Sequence, residues 1–169
     1  VKHMELTGKA HVFGDDINTD YIISGKYKFK TLDMDELGKH VMEDVDPEFS
    51  SKVRPGDFLV AGRNFGCGSS REQAPRALKA CGITVVLARS FARIFFRNAI
   101  NCGLVVMECD TEGIMSGDTM SADLVTGVIH NQTRGNTCQA QPLPEVMIRI
   151  LQAGGLVEYI KKYGSFQEI

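Results

Sequence analysis

Residues 58–107 impose the strongest constraint on the fold. They run through a short apolar stretch (58–61), a glycine-rich loop, a helical stretch, a second apolar run (83–88), another helical stretch and a third apolar run (104–107). Strands and helices that alternate with such short connections form a parallel sheet covered by helices and joined by right-handed crossovers. The second helix is the better marked. Phe91, Ile94, Phe95 and Ala99 recur at helical spacing, Ser90 stands where an N-cap belongs, and Gly103 falls where a left-handed residue ends a helix. The stripe is therefore core rather than a cofactor box. Around this β-α-β-α-β centre the sequence predicts a strand over 9–14, a polar loop over 15–24, a helix over 33–44 and a turn at Arg54-Pro55-Gly56-Asp57. A polar stretch over 108–120 leads to short strands within 122–141, turning at Gly127 and Arg134-Gly135-Asn136, and two helices over 144–153 and 156–163 close the chain. No repeat or linker divides it, so one domain over 4–169 is expected, with residues 1–3 read as a cloning remnant ahead of Met4.

Composition narrows the function classes. The chain has 169 residues, 43% of them apolar, enough to bury a core without a disulfide or metal staple. Its net charge of -2 supplies no field to attract polyanions, and no basic patch is visible, which argues against nucleic acid as a partner. No run approaches the ~20 apolar residues of a membrane helix. Five cysteines (Cys67, Cys81, Cys102, Cys109, Cys138) form an odd set without a C-x-x-C pair, which fits neither a secreted disulfide framework nor a complete metal site. A reducing cytoplasm is the expected compartment. The four histidines share no ligand spacing, so no metal ligand is assigned.

The chemistry is concentrated in Asn64-Phe65-Gly66-Cys67-Gly68-Ser69-Ser70-Arg71-Glu72, between a predicted strand and a predicted helix. That is the carboxyl edge of a parallel sheet, where ligands bind. Gly66 and Gly68 admit backbone conformations that a side chain would forbid, and a helix start favours anions. Ser69 with Glu72, or Ser70 with Gln73, has the spacing of a capping box, which would leave one serine free to face a cleft. Pro75 moves the regular helix a residue or two further on, because its ring would strike the Arg71 carbonyl. A glycine turn with a solvated Arg71 accounts for the same residues without any ligand. Two hydroxyls where a cap needs one, and a planar arginine fork suited to carboxylate, favour an anion site. No P-loop, dinucleotide fingerprint or hydrolase triad is present.

Four segments in order carry a wider likeness: Gly14-Asp15-Asp16-Ile17-Asn18-Thr19-Asp20-Tyr21-Ile22-Ile23, the stretch 62–72, Ser90-Phe91-Ala92-Arg93-Ile94-Phe95, and Arg97-Asn98-Ala99-Ile100-Asn101. With these the chain resembles the small subunits of 3-isopropylmalate dehydratase and homoaconitase and, more distantly, the swivelling domain of aconitase. The resemblance implies an α/β fold, an aconitase-type swivelling β/β/α domain with a central, mainly parallel β-α-β-α-β core. It also implies a hydro-lyase that removes water from a hydroxy-acid and re-adds it, active only with a large subunit. The [4Fe-4S] cluster belongs to that large subunit in the family, leaving no cofactor or metal to this chain. By the same resemblance Ser69 is the base for the carbon-bound proton, Arg71 binds a substrate carboxylate, Ser70 shapes the oxygen-binding site and Asp20 has a polar active-site role. An ordinary turn-forming aspartate is the alternative for Asp20.

The segment Tyr27-Lys28-Phe29-Lys30-Thr31 stands where the family reads the variable end of its substrate. Here Lys30 replaces an arginine, Gln73 a common histidine and Ser24 a usual proline. Lys30 is thus either a contact for a further carboxylate or a solvated lysine. Arg89, Arg93 and Arg97, four apart, suggest a solvated helix face or contacts to partner or substrate. The first expectation is 3-isopropylmalate as substrate, in leucine and hence branched-chain amino acid biosynthesis, within a heterodimer or heterotetramer. Homoaconitase or dimethylmalate dehydratase small subunits follow as alternatives. A non-catalytic module that binds phosphate or a carboxylate at the same loop is the rival from another class.

Overall fold

The computed structural model describes residues 4–27, 33–69 and 71–164. Seven strands form a single sheet in the order β4-β3-β2-β1-β5-β6-β7. They are β1 (Glu5–Val12), β2 (Phe58–Val60), β3 (Val85–Ala88), β4 (Val105–Glu108), β5 (Thr119–Asp123), β6 (Val128–Asn131) and β7 (Asn136–Gln139). The helices are α1 (Thr19–Ile22), α2 (Met34–Gly38), α3 (Phe49–Lys52), α4 (Gln73–Cys81), α5 (Arg93–Cys102), α6 (Glu145–Ala153) and α7 (Leu156–Tyr163).

The predicted core is present. β2, α4, β3, α5 and β4 follow one another, and the three strands pair in parallel. Because β2, β3 and β4 lie side by side in chain order, right-handed crossovers put α4 and α5 on one face, where they touch. β3 is buried along its whole length, as its unbroken apolar run requires of a strand covered on both faces. β1 is the joint of the sheet. Its residues Ala10–Val12 pair in parallel with β2, while Glu5–Lys9 pair antiparallel with β5. β5, β6 and β7 continue antiparallel. The sheet curls until its two ends meet, the N–H of Gln141 donating to the carbonyl of Glu108 at 2.9 Å. Met120, Ala122 and Ile129 of the antiparallel half thereby join the same buried cluster as β3.

Four local expectations are corrected, the first being the helix expected over 33–44, which ends at Gly38 and gives way to turns with Met42 at φ +60. The loop expected over 15–24 contains α1, a single turn that Asn18 caps by accepting the N–H of Tyr21 at 3.0 Å. Ser90 does not cap α5: Ala92 occupies the N-cap with no side-chain bond, and the Ser90 hydroxyl accepts the N–H of Asn64 at 2.8 Å. That bond ties the glycine-rich loop to the strand–helix junction beside it. The capping box of Ser69 with Glu72 is absent too, since α4 begins at Gln73 with Glu72 at the N-cap and no side-chain cap, while Ser70 of the alternative pair lies outside the described residues. Pro75 is then the third helical residue, where no intrahelical N–H is needed, and the Arg71 carbonyl accepts from Ala74 instead, at 3.2 Å. Gly103 ends α5 at φ +88, as expected.

Candidate active site

The site is built where α1 meets the loop between β2 and α4. Residues 17–19 run alongside 66–69 as a short parallel contact. The N–H of Gly66 donates to Ile17 at 2.7 Å, and the N–H of Thr19 donates to Cys67 at 2.9 Å. A side-chain bond completes the contact, the Thr19 hydroxyl donating to the carbonyl of Ser69 at 2.6 Å. Thr19 is buried and Ser69 exposed, so the loop is held from beneath while the Ser69 side chain lies on the outer surface.

Two glycines make the approach possible. Gly66 (φ +83) passes so close to Phe95 that a Cβ would overlap its ring, and Gly68 (φ +90) faces Asn18 and Thr19. Beneath them Phe65 packs edge-on against Phe91 and Phe95, with centroids 6.0 and 5.2 Å away. Of the expected stripe, Phe91, Phe95 and Ala99 are core and the two aromatics floor the loop, but Ile94 is 56% exposed and lines the cleft beside it.

Arg71 reaches back toward α1. Its Nη2 pairs with Asp20 Oδ1 at 2.5 Å and its Nη1 donates to the Ile23 carbonyl at 3.3 Å. Its side chain is 11% exposed against 57% for Asp20, so a nearly buried guanidinium is met by a carboxylate at the surface. The Nε of Arg71 is buried and has no hydrogen-bond partner among the described residues. A buried donor without an acceptor costs ~1–3 kcal/mol, and Nε–H lies on the same edge of the guanidinium as one Nη2 hydrogen, the edge that takes a carboxylate two-pronged. The Arg71 side chain lines a cleft of about 360 Å³ together with Thr19, Gly66, Gly68, Arg93 and Asn98.

Among the sequence-derived site residues, the structure brings Asp20 and Arg71 into direct contact and sets Ser69 two residues away on the same loop. Ser70 and Lys30 lie outside the described residues. The sequence assigned no role to Thr19; its place beside Asp20 in the Asn18-Thr19-Asp20 triplet was the available signal. Of the three arginines spaced four apart, Arg89 lies before α5 and pairs with Asp110 at 2.8 Å and Glu112 at 3.4 Å. Arg93 lines the cleft. Among the described residues no group of three or more His, Cys, Asp or Glu side chains is placed to hold a metal. No helix among them is long and apolar enough to cross a membrane.

The sheet order and the glycine-rich loop define an aconitase-type domain, and the model of the aconitase C-terminal domain family matches residues 17–112. The chain is 56% identical to the 3-isopropylmalate dehydratase small subunit 2 of Archaeoglobus fulgidus, over 97% of this chain and 99% of that one. It is 55% identical to the corresponding small subunit of Caldicellulosiruptor bescii, over 94% and 96%. The crystal structure of a 3-isopropylmalate dehydratase from Methanocaldococcus jannaschii superposes with a TM-score of 0.91 at 48% identity, covering 95% of this chain and 96% of that one. The chain belongs to the 3-isopropylmalate dehydratase small-subunit family of hydro-lyases.

Proposed function

We propose that this chain completes a dehydratase site with a large [4Fe-4S] subunit and acts on 3-isopropylmalate in the cytoplasm, with Arg71 anchoring a substrate carboxylate and Ser69 exchanging the carbon-bound proton. One observation carries the reading. A nearly buried guanidinium that pairs with Asp20 lines a cleft, on a loop that also presents an exposed serine. A guanidinium beside a cleft suits an acidic substrate, and nothing in a simple glycine turn calls for a nearly buried arginine. That weighs against the solvated reading of Arg71.

The residues divide the work. Arg71 offers its guanidinium to one carboxylate and fixes the substrate above the loop. Asp20 pairs with Nη2 of the same fork. Thr19 holds the Ser69 backbone, so the Ser69 Oγ is presented at a fixed position. In the dehydrating direction this oxygen takes the proton from the carbon next to the one that loses the hydroxyl; in the hydrating direction it returns it to the alkene. A serine hydroxyl is a poor base in water, and the positive charge of Arg71 two residues away favours its negative form. The cluster is assigned to the large subunit, and Ser70 and Lys30 are assigned to the substrate by family resemblance.

The test is Ser69→Ala in the complex reconstituted anaerobically with its large subunit, followed by alkene absorbance on 3-isopropylmalate, homocitrate and dimethylmalate. Turnover should fall by about 10³-fold or more with assembly intact. Retained turnover removes Ser69 as base. Turnover confined to homocitrate or dimethylmalate moves the substrate assignment to one of the alternatives.

A further inference from the structure

The chain between α1 and residue 27 is gripped twice by one turn. The N–H of Met42 donates to the Ile22 carbonyl at 2.9 Å. One residue on, the Glu43 carboxylate accepts the Tyr27 hydroxyl at 2.6 Å, lies 3.2 Å from Lys26 Nζ, and is 2.8 Å from His40 Nδ1. The Tyr27 ring stacks on His40 with centroids 4.5 Å apart. Met42 is fully buried at φ +60, a conformation that costs a non-glycine residue energy and that its surroundings must enforce.

Between the two grips lie Ile23, Ser24 and Gly25. Ile23 supplies the carbonyl that accepts Arg71 Nη1. Gly25 runs past the Arg71–Asp20 pair, close enough that a Cβ there would stand 3.8 Å from Nη2 and 3.9 Å from Asp20 Oδ1. We infer that Glu43 is a positioning residue for Arg71: through Tyr27 and Lys26 it tensions the Ile23–Gly25 backbone and so fixes the guanidinium edge offered to the substrate. This rests on Arg71 being the carboxylate anchor. Glu43 suits the task because it stays ionised. Burial pushes its carboxyl up, but hydrogen bonds from Tyr27, His40 and Lys26 outweigh that and hold it below the usual carboxylate range.

A cluster that only tethered the surface would change stability and leave substrate binding alone. The experiment is steady-state kinetics of the reconstituted complex on 3-isopropylmalate for Glu43→Ala, Glu43→Gln and Tyr27→Phe, each also in an Arg71→Lys background. Glu43→Ala should raise KM roughly tenfold with kcat changed less than about twofold. Glu43→Gln should recover part of the loss, because its amide oxygen still accepts from Tyr27, and Tyr27→Phe tests the same link should the alanine variant not fold. In the Arg71→Lys background none of the three should add more than about twofold to KM. Unchanged KM in the glutamate and tyrosine variants overturns the inference, as does a KM increase that persists undiminished beside Arg71→Lys. Should Arg71→Lys alone leave KM unchanged, the anchor role falls and the inference with it. A raised KM in Arg71→Lys beside silent Glu43 variants overturns the positioning role only.

Discussion

The Thr19 hydroxyl donates to the carbonyl of Ser69 at 2.6 Å across fifty positions of sequence, a link between the first helical turn and the glycine-rich loop. Thr19 is 2% exposed, so this bond is made in a nearly dry environment. It belongs to the same contact that sets Asp20 against Arg71, and loss of one should loosen the other.

Thr19→Val keeps the shape of the side chain and removes the donor. The Ser69 carbonyl then loses its partner from beneath, and stability should fall by ~1–3 kcal/mol. Turnover of the complex should drop about ten- to a hundredfold, because a small displacement of a reacting oxygen is costly. Urea denaturation of the chain and kcat of the complex measure the two effects separately. Unchanged turnover would show that the loop keeps its geometry without the bond.

Gly66 and Gly113 have nearly the same backbone, φ +83 and +86, but a Cβ on Gly66 would overlap Phe95 whereas one on Gly113 meets nothing within 4 Å. Gly113→Ala should therefore cost only the left-handed conformation, ~1–2 kcal/mol. Gly66→Ala should cost at least about 2 kcal/mol more and abolish turnover, since the loop must lift off its aromatic floor. Parallel urea melts of the two variants check this. Equal losses would mean that Phe95 gives way freely.

Asp118 is held down to about 2 from an ordinary 3.8, chiefly by its hydrogen bond from Arg134; burial pushes the other way, and the Met115 N–H and the Asn131 amide add to the lowering. A carboxylate depressed in the folded state contributes stability that is present above about pH 4 and lost as pH falls through the folded value near 2. Asp118→Asn should cost ~1–3 kcal/mol at neutral pH. The difference from the parent chain should shrink between about pH 4 and pH 2. Urea melts over that range read it directly. A constant difference would assign the effect to packing.

The parallel half of the fold was legible because its signals are local. Unbroken apolar runs mark β2, β3 and β4, helical spacing marks α5, and Gly103 marks its end. α1 was not legible, since four residues are too few to show a period, and the capping role given to Ser90 failed because a long-range bond from Asn64 competed for the same hydroxyl. The division of β1 between parallel and antiparallel partners leaves no trace in its own residues.

The sequence alone determined which side chains were available for the chemistry: a serine, an arginine and an aspartate in two polar segments, with glycines where backbone had to come close. It also determined the strands and helices that flank the glycine-rich loop, because those follow from spacing within a few residues. Only the tertiary structure decided that Asp20 and Arg71 form a pair, that Thr19 holds Ser69, and that Arg71 lies beside a cleft. Those contacts join segments about fifty residues apart, and their geometry is set by packing of the whole curled sheet against its helices, a sum over many burials that no single stretch of chain encodes.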